Sequence, residues 1–179
     1  MANLKNKSIG ILGGSFDPAH KGHLKISKIA IKKMKLKKVL WVLTKKNPFK
    51  SKPLNSTSER VNKARKIVKE ERNIKVIYLD GIVNSSRTID IINYLINEKK
   101  LKQIYLIVGS DNLIKFHKWK SWKKIVKLTK LVVFSRKGYD KRGKKSIVAK
   151  YLKDKIFFIK NKHIIISSTK IRKKAQQNY

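Results

Sequence analysis

Five short runs rich in Ile and Val alternate along the chain with stretches of helical period, and this alternation limits the fold more than any other feature. The apolar runs lie at 8–12, 39–43, 74–79, 104–108 and 131–135. Runs this short, with little polar alternation, read as strands buried on both faces. Between them, Leu24, Ile26, Ile29, Ala30 and Met34 trace one helical stripe, and Val61, Ala64, Ile67 and Val68 a second. Ser56, Thr57 and Ser58 are candidate caps for the second helix, with Glu59 in its first turn. Ile89, Ile92, Leu95 and Ile96 make a third stripe, and Trp122, Ile125, Val126 and Leu128 a fourth. Strands that alternate with helices require crossover connections, hence a parallel sheet covered on both faces. The expectation is one doubly wound, Rossmann-like α/β domain over residues 1–179, with ligands at the carboxyl ends of the strands. The segment 136–145, with Gly138 and Gly143, reads as an exposed loop.

The bulk properties narrow the class. A chain of 179 residues, 41% hydrophobic, can bury a core and is not of the disordered class. It contains no cysteine, which excludes disulfides, thiol nucleophiles and sulfur-ligated metals and fits a reducing compartment. The basic start of the chain is not followed by a long apolar stretch, so neither a signal peptide nor a membrane span is expected, and the cytoplasm is the expected location. Lys and Arg number 47 against 10 Asp and Glu, a formal net charge of +37. Taken alone, that charge points to nucleic acid or an anionic membrane. The basic residues, however, spread from Lys5 to Lys174 and accompany many Ile and Asn, as a compositional preference for Lys, Ile and Asn would produce. Non-specific contact with nucleic acid through charge is the most that this feature supports.

The most specific string follows the first strand: Gly13-Gly14-Ser15-Phe16-Asp17-Pro18-Ala19-His20-Lys21-Gly22-His23. Two glycines let the backbone turn and approach a phosphate without Cβ obstruction. A helix opening near His20 directs free amide donors and a positive dipole at the same place. His20 and His23, three residues apart, can both face one ligand, and Gly22 leaves room for a nucleotide against the helix. A zinc site would need a third ligand, and no convincing one lies nearby in sequence. The string is neither a P-loop nor a dinucleotide-binding G-x-G-x-x-G.

This string resembles the signature of the nucleotidylyltransferase superfamily, the (H/T)-x-G-H enzymes that act at the α-phosphate of a nucleoside triphosphate. Near the other end, Ile166-Ser167-Ser168-Thr169-Lys170-Ile171-Arg172 resembles that superfamily's I-S-S-T-x-x-R motif. Hydroxyls and amides at such a helix start suit β- and γ-phosphates, and Arg172 adds a forked, permanent cation.

The resemblance extends through nearly the whole chain to bacterial nicotinate-nucleotide adenylyltransferase. Asn47-Pro48-Phe49-Lys50 is similar to its Pro-x-x-Lys-like loop, Glu59-Arg60 to its E-R, and Thr88-Ile89-Asp90 to its T-x-D. Gly109-Ser110-Asp111-Asn112-Leu113, with Phe116-His117-Lys118-Trp119-Lys120 and Trp122, resembles its G-x-D-x-L…W stretch. The segment 132–139 continues the match. Phosphopantetheine adenylyltransferase, the main competitor, usually has Thr where this chain has His20 and lacks the Trp119 stretch; a nicotinamide mononucleotide acceptor is the other alternative. A basic nucleic-acid-binding protein is the alternative of another class. Three positions depart from the pattern: Ser15 replaces a common Thr, Phe49 lies where many members have His, and Arg87 where Tyr is frequent.

The resemblance implies an adenylyltransferase that makes nicotinate adenine dinucleotide and pyrophosphate from ATP and nicotinate mononucleotide, for NAD synthesis. It implies His20, His23, Lys50 and Arg172 as the catalytic set. ATP would be held by Gly13, Gly14, Ser15, Phe16, Gly22, Gly109, Asp111, Ile166, Ser167, Ser168 and Thr169 together with the two histidines and Arg172. Lys50, Arg87, Thr88 and Trp119 would bind the acceptor, with Trp119 as the flat partner of the nicotinate ring. Magnesium would be delivered with ATP, because no carboxylate cluster supplies a dedicated protein metal site. Trp122, on a helical stripe, is expected only to pack.

Overall fold

A computed structural model describes residues 8–45, 53–161, 168–169 and 171–172. Its elements in chain order are β1 (Ser8–Gly14), α1 (Lys21–Met34), β2 (Lys38–Leu43), α2 (Thr57–Ile67), β3 (Ile74–Tyr78), α3 (Asp80–Val83), α4 (Thr88–Asn97), β4 (Gln103–Gly109), α5 (Ser110–Lys115), α6 (Trp122–Leu128), β5 (Lys130–Phe134), α7 (Asp140–Lys144), α8 (Ile147–Leu152) and β6 (Ile156–Ile159). The expected five strands and four helical stripes are present, their ends displaced by one or two residues.

All six described strands are parallel, in the order β3-β2-β1-β4-β5-β6. The order reverses at β1, between β2 and β4, which opens a crevice at the carboxyl ends of the two central strands. Gly13 and Gly14 stand at that end of β1, and Gly109 closes β4 beside them. The register between β1 and β4 runs from Ser8↔Gln103 to Leu12↔Ile107, so both glycine-bearing ends emerge on one side.

Side-chain alternation builds two cores from one sheet. Ile9, Ile11, Leu40, Val42, Leu106 and Val108 face α4, α5 and α6; Leu12, Val39, Trp41, Leu43, Ile107 and Val132 face α1 and α2. Close packing explains Gly10 in the middle of β1. A Cβ there would come within 2.9 Å of Leu36 Cδ1 and Val39 Cγ2. The helix caps follow the local chemistry. Ser56 accepts from the Glu59 amide at 3.2 Å while Glu59 accepts from the Ser56 amide at 2.8 Å, a capping box on α2.

Two expectations need correction. The segment 136–145 is not a loop throughout: α7 forms within it, and Gly143 is buried because a Cβ would sit 3.1 Å from the Ser110 carbonyl oxygen on α5. A short polar helix has no apolar stripe to announce it, and here packing against α5 supplies the order. The sixth strand, Ile156-Phe157-Phe158-Ile159, was not anticipated. It is an edge strand of four residues between lysines, with Phe157 and Phe158 partly exposed, and it owes its place to pairing with β5. Likewise β3 is an edge, so Tyr78 is exposed rather than buried.

Candidate active site

The site begins at the turn between β1 and α1. Phe16 takes a left-handed backbone, φ 48°, and the Asp17–Pro18 peptide is cis, which bring the chain over to His20. His20 is the N-cap of α1 in an extended conformation. Its Nδ1 accepts from the Gly22 amide at 3.1 Å, and the His20 amide donates to Nδ1 of His23 at 3.2 Å. The pair thus forms a capping box built from imidazoles, where hydroxyls and carboxylates usually serve. The consequence is chemical. A ring whose Nδ1 accepts must carry its proton on Nε2, so each imidazole is set as an Nε2–H donor.

The rings are also braced from below. His20 and His23 lie with centroids 3.8 Å apart, His23 packs on Phe16 at 4.8 Å, and Phe16 stacks on Trp41 at 5.1 Å. Trp41 donates through its indole N–H to Ser27 Oγ at 2.8 Å, and that hydroxyl donates to the His23 carbonyl at 2.8 Å. Phe16 is buried, so its side chain is part of this brace. Burial, and secondarily the positive charge of Arg136, push the His20 pKa down to about 4, which keeps the ring neutral at physiological pH.

The loop then receives the far end of the chain. Ser168 donates to the Pro18 carbonyl at 3.0 Å, and Arg172 donates to the Asp17 carbonyl at 2.6 Å. Asp17, 1% exposed, accepts from the Leu54 amide at 2.8 Å and from the Asn55 amide and side chain at 3.2 and 2.7 Å. Ser168 and Arg172 of the second string are therefore docked on the first. Thr169 is exposed beside them; Lys50, Ile166 and Ser167 lie outside the described residues.

On the β4 side, a Cβ at Gly109 would collide with Asp111 Oδ1, so the glycine is what lets the carboxylate fold back over the strand end. Asp111 pairs with Arg136 through Oδ2, while its Oδ1 is buried and has no partner. The Arg136 amide is held by Ser110 Oγ at 3.1 Å and Asp140 Oδ1 at 2.9 Å. Burial raises the Asp140 pKa, but hydrogen bonds from Ser135, Ser110 and the Arg136 amide outweigh it and hold the carboxyl below its usual value. Trp119 is half-buried and stacks on Phe116 at 4.5 Å; Trp122 packs edge-on against Tyr151 at 5.2 Å, in keeping with a packing role. Arg87 is exposed at the N-cap of α4, where Thr88 begins the helix.

Three residues important to this geometry had no site role in the sequence reading: Asp17, Arg60 and Arg136. Arg60 is 1% exposed, and Nη1 alone donates to the carbonyls of Ser15 at 2.6 Å and Thr44 at 2.9 Å. Its position beside Glu59 in an E-R pair was the available signal; that it would be buried was not. Among the described residues no three His, Asp or Glu side chains converge on a point where a metal could sit, and no helix is long and apolar enough to cross a membrane.

A switch-point crevice lined by a Gly-Gly turn, paired imidazole donors at a helix start and a docked arginine defines an α/β nucleotidyltransferase. Comparison with known proteins agrees and goes further. The model of the cytidylyltransferase-like family matches residues 11–174. A protein of Pelagibacter ubique named "Probable nicotinate-nucleotide adenylyltransferase" is 48% identical over 96% of this chain and 95% of its own length. A protein of the same name from Aquifex aeolicus is 34% identical over 89% of this chain and 98% of its own. The fold is shared with the nicotinic acid mononucleotide adenylyltransferase of Plasmodium falciparum solved in complex with NaAD, at a TM-score of 0.76, 21% identity and coverage of 94% of this chain and 83% of that one. The chain belongs to the cytidylyltransferase-like family and, within it, to the nicotinate-nucleotide adenylyltransferases.

Proposed function

We propose that this protein transfers the adenylyl group of ATP to nicotinate mononucleotide, forming nicotinate adenine dinucleotide and pyrophosphate for NAD synthesis. The observation that carries the reading is the pair of imidazoles with centroids 3.8 Å apart at the start of α1, each accepting a backbone N–H at Nδ1, beside the glycines of β1.

The acceptor's phosphate oxygen attacks the α-phosphorus in line. A P–O bond forms there, the bond from the α-phosphorus to the bridging oxygen breaks, and pyrophosphate leaves with the electron pair. Phosphate is a nucleophile at neutral pH, so the reaction needs no covalent enzyme intermediate. Catalysis rests on positioning and on donors aimed at developing charge. In this scheme His20 and His23 donate from Nε2 to the α-phosphate and bridging oxygens. The Gly13, Gly14 and Ser15 backbone holds phosphates. Lys50 neutralises phosphate, and Ile166, Ser167, Ser168, Thr169 and Arg172 bind ATP, with Ser167, Ser168 and Arg172 clamping its triphosphate end. Gly22 gives the nucleotide room beside α1. Asp111, with its unpartnered Oδ1 above Gly109, accepts from the adenosine sugar. Trp119, braced on one face by Phe116, meets the nicotinate ring near Thr88 and Arg87.

Magnesium accompanies ATP as part of the substrate. The described residues do not form a protein cage for it, and no step is assigned to it. The same reading takes residues 1–179 as one nucleotidyltransferase domain acting in the cytoplasm. The test is pyrophosphate release from ATP with nicotinate mononucleotide, nicotinamide mononucleotide and phosphopantetheine in parallel. Release fastest with the first is expected; a faster rate with either of the others would replace the acceptor, and no release with any would reject the reaction.

A further inference from the structure

Among the described residues the charged side chains classed as buried are three: Asp17, Arg60 and Asp80. In a chain with 47 basic residues, of which Arg60 is the one buried among those described, this segregation is informative, because a buried charge is costly unless it is held by hydrogen bonds. The three belong to one network. Asp17 holds Asn55, whose carbonyl accepts from Arg60 Nε at 3.2 Å. Arg60 in turn reaches the carbonyls of Ser15, Thr44 and Lys45, the last at 3.4 Å. The Lys45 amide donates to Asp80 Oδ2 at 2.6 Å, and the Ser86 hydroxyl donates to that same oxygen.

We propose that Asp80 is a positioning residue for the acceptor side of the site, joining the exit of β2 to the 84–88 segment that carries Arg87 and Thr88. The proposal rests on the adenylyltransferase reading above. Its geometry is specific. Asp80 sits at the carboxyl end of β3, 7% exposed, and one carboxylate oxygen serves both neighbouring segments. Beyond Ser86 the segment is further set by the Arg87 amide donating to Ser85 Oγ at 3.1 Å, and by Ser85 donating to Asp90 at 2.7 Å. Movement of Asp80 therefore shifts the start of α4 relative to the end of β2.

Asp80 Oδ1 is buried without a partner.

The test compares wild type, Asp80→Ala, Asp80→Asn and Ser86→Ala for kcat and for the KM of each substrate, with thermal unfolding alongside. Asp80→Ala should raise the KM for nicotinate mononucleotide by about tenfold or more, as expected for loss of a charge-assisted hydrogen bond, and leave the KM for ATP within about twofold. Asp80→Asn, which keeps one oxygen, should recover part of the acceptor KM, and Ser86→Ala should show a smaller rise in the same direction. A folded Asp80→Ala with both KM values unchanged, or raised together, would overturn the proposal. If Asp80→Ala does not fold, an unchanged acceptor KM in Ser86→Ala would do so. Wild type without turnover on any acceptor would instead reject the reaction itself, and faster amide exchange at Lys45 in Asp80→Ala would still report the staple.

Discussion

Arg172 donates a guanidinium N–H to the carbonyl oxygen of Asp17 at 2.6 Å, across 155 residues of sequence. The same nitrogen stands 3.9 Å from the Asp17 carboxylate. This contact ties the last helical turn described to the turn between β1 and α1. Arg172 thus holds the Asp17–Pro18 turn, and under the proposed function it has a second task, clamping the triphosphate end.

The dual task can be separated. Asp17→Ala would leave the Leu54 and Asn55 amides and the Asn55 side chain without their acceptor in a buried setting, while the Arg172 bond to the residue-17 carbonyl is kept, at a cost of roughly 3 kcal/mol measurable by urea unfolding. Burial raises the Asp17 pKa, but hydrogen bonds from Asn55 and Leu54 and the charge of Arg172 outweigh it and hold the carboxyl below its usual value. Its folded pKa is depressed, so its contribution to stability is present above the unfolded value and is lost as pH falls through the folded one. The acid unfolding profile of Asp17→Asn should lack this component, and a profile unchanged from wild type would contradict it.

His20 caps α1 and is assigned to the chemistry, and two substitutions distinguish these roles. His20→Ala loses the cap, about 1 kcal/mol, and should also lower turnover by roughly 10²–10³-fold. His20→Asn retains a capping acceptor, so unfolding midpoints should return toward wild type while turnover stays low. Recovery of turnover together with stability would show that the ring acts only as a cap.

The depressed His20 pKa makes a direct prediction. The value is about 4 in the folded protein against 6.5 ordinarily, so NMR titration of the imidazole Cε1–H should show no protonation of this ring near pH 6. On unfolding, the ring takes up a proton throughout the window between these values. Stability from this site is therefore complete above pH 6.5 and declines as pH falls toward 4. A His20 midpoint near 6.5 would contradict both its burial and the effect of Arg136.

Gly109→Ala would push its new Cβ into Asp111 Oδ1 and move the carboxylate from its place above β4. Because the atom displaced is the end of a side chain paired with Arg136, folding should be little affected, whereas the KM for ATP should rise about tenfold. An ATP KM equal to wild type would remove Asp111 from the nucleotide site.

The sequence alone determined the strand–helix alternation, a helix cap within 56–58, and the two strings that resemble the superfamily's motifs, because each depends on residues within a turn or two of one another. Gly13, Gly14, His20 and His23 are legible for that reason: strand, turn and helix start are contiguous. The sequence left unstated that two imidazoles would replace hydroxyl and carboxylate in the α1 cap, since His is an unusual choice there.

Only the tertiary structure decided the sheet order, the edge strand β6, the order in α7, and above all which charges are buried. Asp17, Arg60 and Asp80 carry ordinary charged side chains with no local pattern that announces burial, and 47 basic residues hide the one arginine that matters inside. Their burial comes from strand ends that meet only after the crossovers are made, and their partners are mostly backbone amides and carbonyls, which every sequence shares. Periodicity and capping are local properties that a chain displays along its length. The satisfaction of a buried charge is a long-range property, and it exists only once the strand ends and the loops that leave them have met.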